Sequence, residues 1–261
     1  MKSPLQKIVL ITGATSGIGR ATSRIFAKKG YDLIITGRRI KRLLDLQERY
    51  ERKYAIDVKT LTFDVRDKKQ VKKSLNSLDD KWNQVDILIN NAGLALGTNK
   101  FHQASIEDWE TMLDTNVKGI LYMSKIISHG MIKRRSGHII NVCSTAGHEV
   151  YPTGNVYCAS KHAVNALTKA MRLDMFDMGV RVSQISPGAV EETEFSLVRY
   201  KGDSEKAKIY NDYNPLTSKD VAKVIYFMAS QPKHVTIHDI IIAGTQQASA
   251  MIFDKSGRIE K

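Results

Sequence analysis

The residue types with the clearest chemical potential are a tyrosine and a lysine four positions apart, Tyr157 and Lys161. On a helix this spacing places both side chains on one face. A free tyrosine has a pKa of about 10, and a nearby ammonium group stabilises its phenolate, so the phenol could exchange a proton near neutral pH. Such pairs are also common on solvated helices, so the surrounding residues must decide between a catalytic and a structural role.

A serine upstream of this pair favours catalysis. Ser144 opens the run Ser144-Thr145-Ala146-Gly147 directly after the apolar stretch 137–142, which predicts a strand. Ligands of open parallel sheets bind at the carboxyl ends of the strands. Ser144 and Tyr157 are therefore expected at one edge of a sheet, where a substrate would lie.

A glycine-rich turn near the start of the chain predicts a dinucleotide site. Gly13, Gly17 and Gly19 lie between a predicted strand, 8–11, and a predicted helix from about 19 to 29. Glycines there let the turn adopt positive φ and let the backbone approach a pyrophosphate, which binds at the amino end of the helix. Such glycines also occur for steric reasons alone, but the strand before and the helix after favour a cofactor site.

The residues after the second predicted strand, 33–36, indicate which dinucleotide binds. An acidic residue at this point would accept hydrogen bonds from the adenosine ribose of NAD. The chain instead has Arg38 and Arg39, and an arginine fork can hold a 2′-phosphate, which a carboxylate would repel. The two arginines could also simply begin a solvated basic helix, but the missing acidic residue makes NADP the expected cofactor.

The elements that must position these residues alternate between strands and helices. Near-continuous apolar strands of this kind predict an α/β fold, a single Rossmann-type, doubly wound parallel sheet of about seven strands with helices on both faces. The predicted strands are 8–11, 33–36, 59–63, 86–89, 137–142, 180–185 and 239–242. The predicted helices are 19–29, 39–53, 68–82, 105–130 with Ser105 as N-cap, 155–178 and 218–230.

No linker or repeat interrupts this alternation. Residues 1–253 are therefore expected to form one dinucleotide-binding catalytic domain. It would carry a small substrate-loop excursion at about 190–215, with a helix over 196–213. The polar tail, 254–261, is expected to fray.

The composition of the 261 residues argues against several other classes. With 42% hydrophobic and 26% charged residues the chain reads as globular, and no apolar run is long enough to cross a bilayer, so no membrane partner and a cytoplasmic location are expected. The net charge of +13 comes from scattered basic residues that are not interleaved with aromatics, so no nucleic-acid partner is expected. The two cysteines, Cys143 and Cys158, predict neither a metal site nor a disulfide framework.

Three more motifs accompany the glycine turn and the tyrosine. Asn90-Asn91-Ala92-Gly93 follows the fourth predicted strand, Pro187-Gly188 follows the sixth, and Asn116 lies within the long predicted helix. In this order, with Ser144, Tyr157 and Lys161, they resemble the motifs of the classical short-chain dehydrogenase/reductase superfamily along nearly the whole chain. The resemblance implies an enzyme that transfers a hydride between NADP and the carbon of an alcohol or carbonyl group.

The resemblance implies a role for each matching residue. Ser144 would hydrogen-bond the substrate oxygen, Tyr157 would give or take its proton, and Lys161 would lower the Tyr157 pKa while holding the nicotinamide ribose. Asn116 would interrupt the long helix and hold a water in the proton relay, although it could instead be a polar residue buried against the sheet. Asp64 would contact the adenine, although it could also cap the next helix. The implied NADP-binding residues are Gly13, Thr15, Ser16, Gly17, Ile18, Gly19, Arg38, Arg39, Asp64, Val65, Asn91, Ala92, Gly93, Tyr157, Lys161, Pro187, Gly188, Val190 and Thr193.

Three segments, 91–97, 107–112 and 193–203, narrow the resemblance further. They are similar to the NADP-dependent 3-hydroxy acid dehydrogenases, which implies a homotetramer that acts on small molecules such as serine, allo-threonine or 3-hydroxypropionate and malonic semialdehyde. A substrate carboxylate calls for a nearby cation, and Arg199 is the candidate on charge alone. The implied substrate-contacting residues are Ser144, His148 and Arg199.

One departure from the pattern of the 3-hydroxy acid dehydrogenases leaves the substrate class open. Glu191 and Glu192 stand where smaller residues are expected, and two anions beside a carboxylate pocket would repel its substrate unless they point away or pair with lysines. His148 and its neighbours could also line the pocket and favour neutral alcohols or ketones. The alternatives are therefore a general carbonyl or 3-oxoacyl reductase and, in another class, a non-catalytic NADP-binding redox sensor or scaffold. The presence of all four catalytic residue types argues against the last.

Overall fold

Seven of the nine strands form one parallel sheet in the computed structural model, which describes residues 6–259. The sheet order is β3-β2-β1-β4-β5-β6-β9, so the prediction of a doubly wound sheet of about seven strands is confirmed. The strands are β1 (Ile8–Ile11), β2 (Asp32–Gly37), β3 (Val58–Thr62), β4 (Val85–Asn90), β5 (Gly137–Val142), β6 (Val180–Pro187), β7 (Val190–Glu191), β8 (Leu216–Thr217) and β9 (Asp239–Ile242). The order reverses between β1 and β4, which opens a crevice at their carboxyl ends.

Helices cover both faces of this sheet, as predicted. They are α1 (Gly17–Lys28), α2 (Ile40–Lys53), α3 (Lys68–Asn76), α4 (Ile106–Leu113), α5 (Gly119–Lys133), α6 (Asn155–Met175), α7 (Phe195–Arg199) and α8 (Ser218–Ala229). Phe26, Leu43 and Val221 bring α1, α2 and α8 against one face, while Met123 and Met175 bring α5 and α6 against the other. Burying each such side chain contributes roughly 1.5–3 kcal/mol, so the strands need apolar residues on both faces.

A π-helical turn interrupts the helix predicted over 105–130. Ser105 caps α4 by accepting a hydrogen bond from the Asp108 amide, at 3.2 Å. The chain then forms a π-helical turn over Asp114–Lys118 before α5 continues to Lys133. Turns of this kind are rare and occur mostly at functional sites. The interruption falls on Asn116, which is 1% exposed.

Two helix predictions are wrong in their extent. The helix predicted over 68–82 ends at Asn76, because Asp79 accepts a hydrogen bond from the Trp82 amide and holds the chain in a turn. The helix predicted over 196–213 is confined to Phe195–Arg199. Lys201 and Gly202 both have positive φ, +52° and +92°, which a helix does not tolerate.

The segments that follow α7 are held by contacts distant in sequence. Strands β7 and β8 form a short parallel pair that the sequence analysis did not predict. In the tail, the Asp254 amide donates to the Gln246 carbonyl at 2.8 Å and Arg258 pairs with Glu191 at 2.7 Å, while the fraying expected from residue 254 stays a prediction. Residues 260–261, the rest of the predicted tail, lie outside the described residues. Over residues 6–259, no helix combines the length and apolar character needed to span a membrane.

Candidate active site

A cavity of about 570 Å³ runs along the carboxyl edge of the sheet. It extends from the glycine turn, past the ends of the central strands, to the segments around α7 and the tail. Every predicted NADP-binding residue except Gly19 lines it, and so do Ser144 and Arg199. Asn116 and His148 are the two predicted catalytic or substrate residues that do not.

The glycine turn has the geometry that its sequence predicts. Gly13 and Gly17 have φ of +66° and +48°, a region that side-chain-bearing residues rarely adopt. A Cβ on Gly19 would collide with the Gly13 carbonyl oxygen and with the Asn91 side-chain nitrogen. Thr12 Oγ1 accepts hydrogen bonds from the amides of Asn91 and Ala92, at 2.9 and 3.0 Å, so the turn is fixed against the end of β4.

The amino end of α1 is suited to hold a phosphate. Ser16 is the N-cap residue, but its side chain makes no capping hydrogen bond, and the first turn contains no acidic residue. The first amides of a helix need an acceptor, and the helix dipole favours an anion there. Together with the space left by the glycines, this arrangement fits the diphosphate of a dinucleotide.

The two arginines after β2 lie at the same end of the cavity. Arg39 donates hydrogen bonds to Thr15 Oγ1 at 2.8 Å and to Ser16 Oγ at 3.1 Å. The Arg38 side chain is 66% exposed, with a guanidinium nitrogen 3.8 Å from an oxygen of Asp64. Arg38 is thus placed to meet a ligand phosphate from solvent.

Asp64 is held by an arginine and does not cap the following helix. Burial of its carboxyl opposes ionisation, but hydrogen bonds from Arg66 outweigh this effect and lower the Asp64 pKa. The cap of α3 is Asp67, which accepts hydrogen bonds from the amides of Lys69 and Gln70. The helix-cap alternative for Asp64 is therefore wrong, and its contact with adenine stays a prediction.

Ser144, Tyr157 and Lys161 come together at the end of β5. All three are less than 10% exposed, and Tyr157 shares a hydrogen bond with Ser144. The Lys161 ammonium donates to the Val142 carbonyl at 3.0 Å and lies 6.0 Å from the centre of the Tyr157 ring. The cluster expected from the sequence is therefore assembled.

Burial sets the ionisation of this cluster. It raises the pKa of Tyr157 far above its ordinary value, opposed by the hydrogen bond with Ser144 and the charge of Arg199. Burial also lowers the pKa of Lys161. The Lys161 ammonium donates to the Val142 carbonyl, and the expected lowering of the Tyr157 pKa by Lys161 stays a prediction. Tyr157 is thus held in its protonated form, ready to donate.

The side chain of Asn116 ties two segments together. The side-chain oxygen Oδ1 accepts a hydrogen bond from the Leu94 N–H at 2.9 Å. The side-chain nitrogen Nδ2 donates to the Leu94 carbonyl at 2.8 Å and to Ser160 Oγ at 3.0 Å. Ser160 in turn donates to the Tyr157 carbonyl at 2.7 Å. These contacts fit the structural alternative for the side chain.

His148 lies behind the site rather than in it. Its Nε2 is 3.0 Å from Ser186 Oγ and 3.2 Å from a carboxylate oxygen of Asp239. The short helical turn over Thr145–Gly147 leads the chain away from the cavity, so the imidazole faces β6 and β9. The structure does not bring His148 to Ser144 and Tyr157, and its predicted contact with substrate has no geometric support.

Arg199 forms part of an aromatic wall at the other end of the cavity. Its guanidinium lies 5.6 Å from the centre of the Tyr151 ring and donates to the Tyr151 hydroxyl at 3.2 Å. The Phe195 ring is 5.7 Å from the Tyr157 ring.

Further lining residues that sequence reasoning missed are Leu94, Val198, Ile209, Tyr210, Tyr213, Gln247, Ala250, Phe253 and Lys255. The sequence signal for part of this set is the group Ile209, Tyr210 and Tyr213 within the largely polar segment 203–214.

The two glutamates that cast doubt on an acidic substrate are directed away from the cavity. Neither Glu191 nor Glu192 lines it. The Glu191 carboxylate is 2.7 Å from Arg258, so it pairs with an arginine of the tail. Glu192 has φ of +58°, which turns the chain between the two cavity residues Val190 and Thr193. The repulsion expected from the sequence is therefore reduced, although the Glu191 charge, after burial, still helps to raise the pKa values of the lining residues Tyr210 and Tyr213.

Both cysteines are buried beside the reacting groups. Cys143 precedes Ser144 and Cys158 follows Tyr157, with side chains 3% and 1% exposed. Burial raises the pKa of both thiols. Neither forms a disulfide, and residues 6–259 contain no cluster of three or more potential metal ligands.

The chain is similar to known oxidoreductases along most of its length. The family model for short chain dehydrogenase matches residues 7–202. The chain is 44% identical over 244 residues to NADP-dependent 3-hydroxy acid dehydrogenase YdfG of Salmonella typhi, which covers 93% of this chain and 97% of that protein. It is 41% identical over 254 residues to sulfoacetaldehyde reductase 2 of Chromohalobacter salexigens, which covers 96% of this chain and all of that protein.

The fold agrees with these similarities. The closed form of serine dehydrogenase complexed with NADP+ superposes with a TM-score of 0.89 at 43% identity, covering 94% of this chain and 98% of that one. That structure holds the cofactor for which the glycine turn and the arginines of this chain are suited. The expectation of NADP is confirmed. The protein belongs to the short chain dehydrogenase family and is an NADP-dependent oxidoreductase.

Proposed function

We propose that this oxidoreductase interconverts small 3-hydroxy acids and the corresponding carbonyl acids. The observation that carries the proposal is the position of Arg199, whose charge acts on Tyr157 from across an aromatic-walled cavity. A guanidinium there can hold a carboxylate while the hydroxyl end of the same molecule reaches Ser144 and Tyr157.

The names of the related proteins support this substrate class. A 3-hydroxy acid, serine and sulfoacetaldehyde share one pattern, in which a single carbon separates the reacting carbon from an acidic group. One cation at a fixed distance from the proton donor would recognise all three. The 3-hydroxy acid is therefore preferred over a neutral ketone as the substrate.

Among the described residues, no carboxylate lines the cavity at this end to pair with an ammonium group. Among the described residues that line it, the acidic side chains are Asp64 and Glu194, and arginines hold both at the adenosine end. Serine carries an amino group, whereas 3-hydroxypropionate and malonic semialdehyde do not. The site is therefore better suited to these simple acids than to serine or allo-threonine.

The residues divide the reaction between them. NADP, when bound, supplies or takes the hydride. The glycine turn and the amino end of α1 would hold its diphosphate, Arg38 its 2′-phosphate, and Lys161 its nicotinamide ribose. Ser144 donates a hydrogen bond to the substrate oxygen, and Tyr157 donates the proton to that oxygen during reduction and takes it back during oxidation. Tyr157 is protonated at neutral pH, since burial raises its pKa further above the ordinary value of about 10, and its phenol can donate the proton that reduction needs.

The substitution Arg199→Gln tests the proposal. We expect kcat/KM for malonic semialdehyde to fall about 10- to 100-fold, since a hydrogen bond to a charged group contributes roughly 1.5–3 kcal/mol. Reduction of propanal, which lacks the acid, should hardly change. Lys201→Gln is the matched control, because Lys201 lies two residues away, pairs with Asp108 and does not line the cavity. Activity confined to neutral ketones would instead support the general carbonyl reductase.

We also propose that the enzyme is a cytoplasmic homotetramer. Two separate patches expose large apolar side chains, Leu173 and Phe176 near the end of α6 and Phe227 and Ile241 on α8 and β9, each more than half exposed. Two different self-complementary interfaces per chain are what a tetramer with dihedral symmetry needs. Light scattering should give a mass of about four chains, and a monomer would refute the assembly. The unpaired cysteines fit a reducing compartment.

A further inference from the structure

A three-residue ionic contact closes the cavity on the side of the glycine turn. Glu194 accepts a hydrogen bond from Arg39 at 2.8 Å through one carboxylate oxygen and from Arg42 at 2.6 Å through the other. The arginines lie at the start of α2, and Glu194 directly precedes α7. We call these three residues the Glu194 clasp. It joins two segments about 150 residues apart, between which the cavity lies.

The clasp spans the place where the diphosphate must lie. Thr193 packs on the glycine turn so closely that a Cβ on Gly17 would be 3.1 Å from the Thr193 Cβ. Arg39 also bonds to Thr15 and Ser16 of the same turn. Residues from both sides of the contact therefore cover the phosphate-binding amides.

The same segment continues into the substrate end of the cavity. Phe195, the residue after Glu194, contacts the Tyr157 ring, and Arg199 ends the five-residue helix α7. Arg42 belongs to the clasp but does not line the cavity. A change at Arg42 therefore removes no direct contact with the cofactor, and it acts on the cofactor mainly through Glu194 and the segment that Glu194 holds.

We propose that Glu194 is a positioning residue that closes segment 193–199 over bound NADP through Arg39 and Arg42 and so slows release of the cofactor. The inference rests on the NADP site and not on the identity of the alcohol. The Glu194 carboxylate holds the backbone of segment 193–199 in place and does not itself bind the cofactor.

The clasp is ionic and partly open to solvent, and these two properties determine how it should respond to salt and to pH. The three side chains are 37–49% exposed. Exposed ion pairs are individually weak and are screened by salt. Burial of the Glu194 carboxyl opposes ionisation, but the hydrogen bonds from Arg42 and Arg39 outweigh it and lower the pKa to about 2. The clasp should therefore be sensitive to salt and insensitive to pH between about 5 and 8.

Release of NADPH from the full-length protein tests the proposal. The dissociation rate is measured by stopped-flow fluorescence after displacement with excess NADP, for the parent and for Glu194→Gln, Arg42→Gln and Lys41→Gln. We expect release about 3- to 10-fold faster in the first two variants and unchanged in the third, which removes one exposed α2 charge that is not in the clasp. The double variant should release no faster than either single variant, and added salt should speed release more in the parent and the Lys41 control than in the clasp variants, where only the phosphate contacts remain to be screened.

NADH, which lacks the 2′-phosphate, is the second probe. If segment 193–199 covers the diphosphate, Glu194→Gln and Arg42→Gln should also release NADH faster, by a factor similar to that for NADPH. Tighter NADPH binding by Glu194→Gln with NADH unchanged would show instead that the carboxylate competes with the 2′-phosphate, and would overturn the proposal. Unchanged release in either variant, or additive effects in the double variant, would overturn it too. No turnover is involved, so a wrong substrate assignment leaves these readouts intact.

Discussion

The two ends of the active-site cavity are built differently. The cofactor end rests on the carboxyl ends of β1 to β4, and its critical contacts are made by backbone groups of the glycine turn and by Asn91. The substrate end rests on irregular segments, held by side-chain contacts such as the bond from the Ala189 amide to Gln247, at 2.8 Å, and the tilted contact of the Tyr213 ring with the Phe253 ring.

Because of this difference, the fold fixes the cofactor end of the cavity, whereas the substrate end can vary. A regular sheet places its strand ends whatever the loops contain, so the cofactor end follows from the fold. The substrate end depends on a few long-range side-chain pairs, and single substitutions can reshape it without disturbing the sheet. We therefore expect changes in the two ends to have separable effects on cofactor and substrate.

The largest expected effect is at the junction of the two ends. Tyr157→Phe removes one hydroxyl and keeps the ring, so kcat for NADPH oxidation should fall about 10²- to 10⁴-fold, the usual contribution of a general acid. NADPH affinity, measured by fluorescence titration, should change little. Retained turnover would remove Tyr157 from the mechanism and revive the non-catalytic alternative.

A smaller effect is expected at the cofactor end. Arg38→Ala should weaken NADP binding about 10- to 100-fold, because it removes the charge expected to meet the 2′-phosphate. NAD lacks that phosphate, and its affinity should be nearly unchanged. Binding titrations of both cofactors give the ratio directly, and equal weakening of the two would contradict this assignment of Arg38.

The smallest effect is expected at the substrate end. Arg258→Gln removes the guanidinium from Glu191, so the carboxylate charge would be felt more strongly in the neighbouring cavity. We expect KM for malonic semialdehyde to rise at most about fivefold, since exposed ion pairs contribute about 0–1 kcal/mol. KM for NADPH and for propanal serves as the internal control, and an equal rise in all three would point to general destabilisation.

The sequence predicted the cofactor end well because that end depends on local patterns. Strand β5 begins and ends where the apolar run predicts, and the predicted position of Asn116 coincides with a break in helical geometry. The glycine turn likewise needs only residues adjacent in sequence to be recognised.

Local sequence patterns could not predict the substrate end of the cavity. Nothing near Glu191 in sequence shows that Arg258 will pair with it, so the sequence could not tell whether its charge is free to repel an acid or is paired. His148 follows the catalytic serine closely, yet one short turn sends its imidazole to Asp239. The helix expected over 196–213 failed because positive φ at Lys201 and Gly202 ends it early, which residue propensity does not reveal.

The buried cysteines have a consequence for the chemistry of the product. An aldehyde is an electrophile, and a thiolate beside it would capture it as a hemithioacetal. Burial keeps both Cys143 and Cys158 as thiols by raising their pKa values, and the thiolate is the reactive form. Two sulfur atoms can thus flank the serine and the tyrosine without trapping the aldehyde that passes between them.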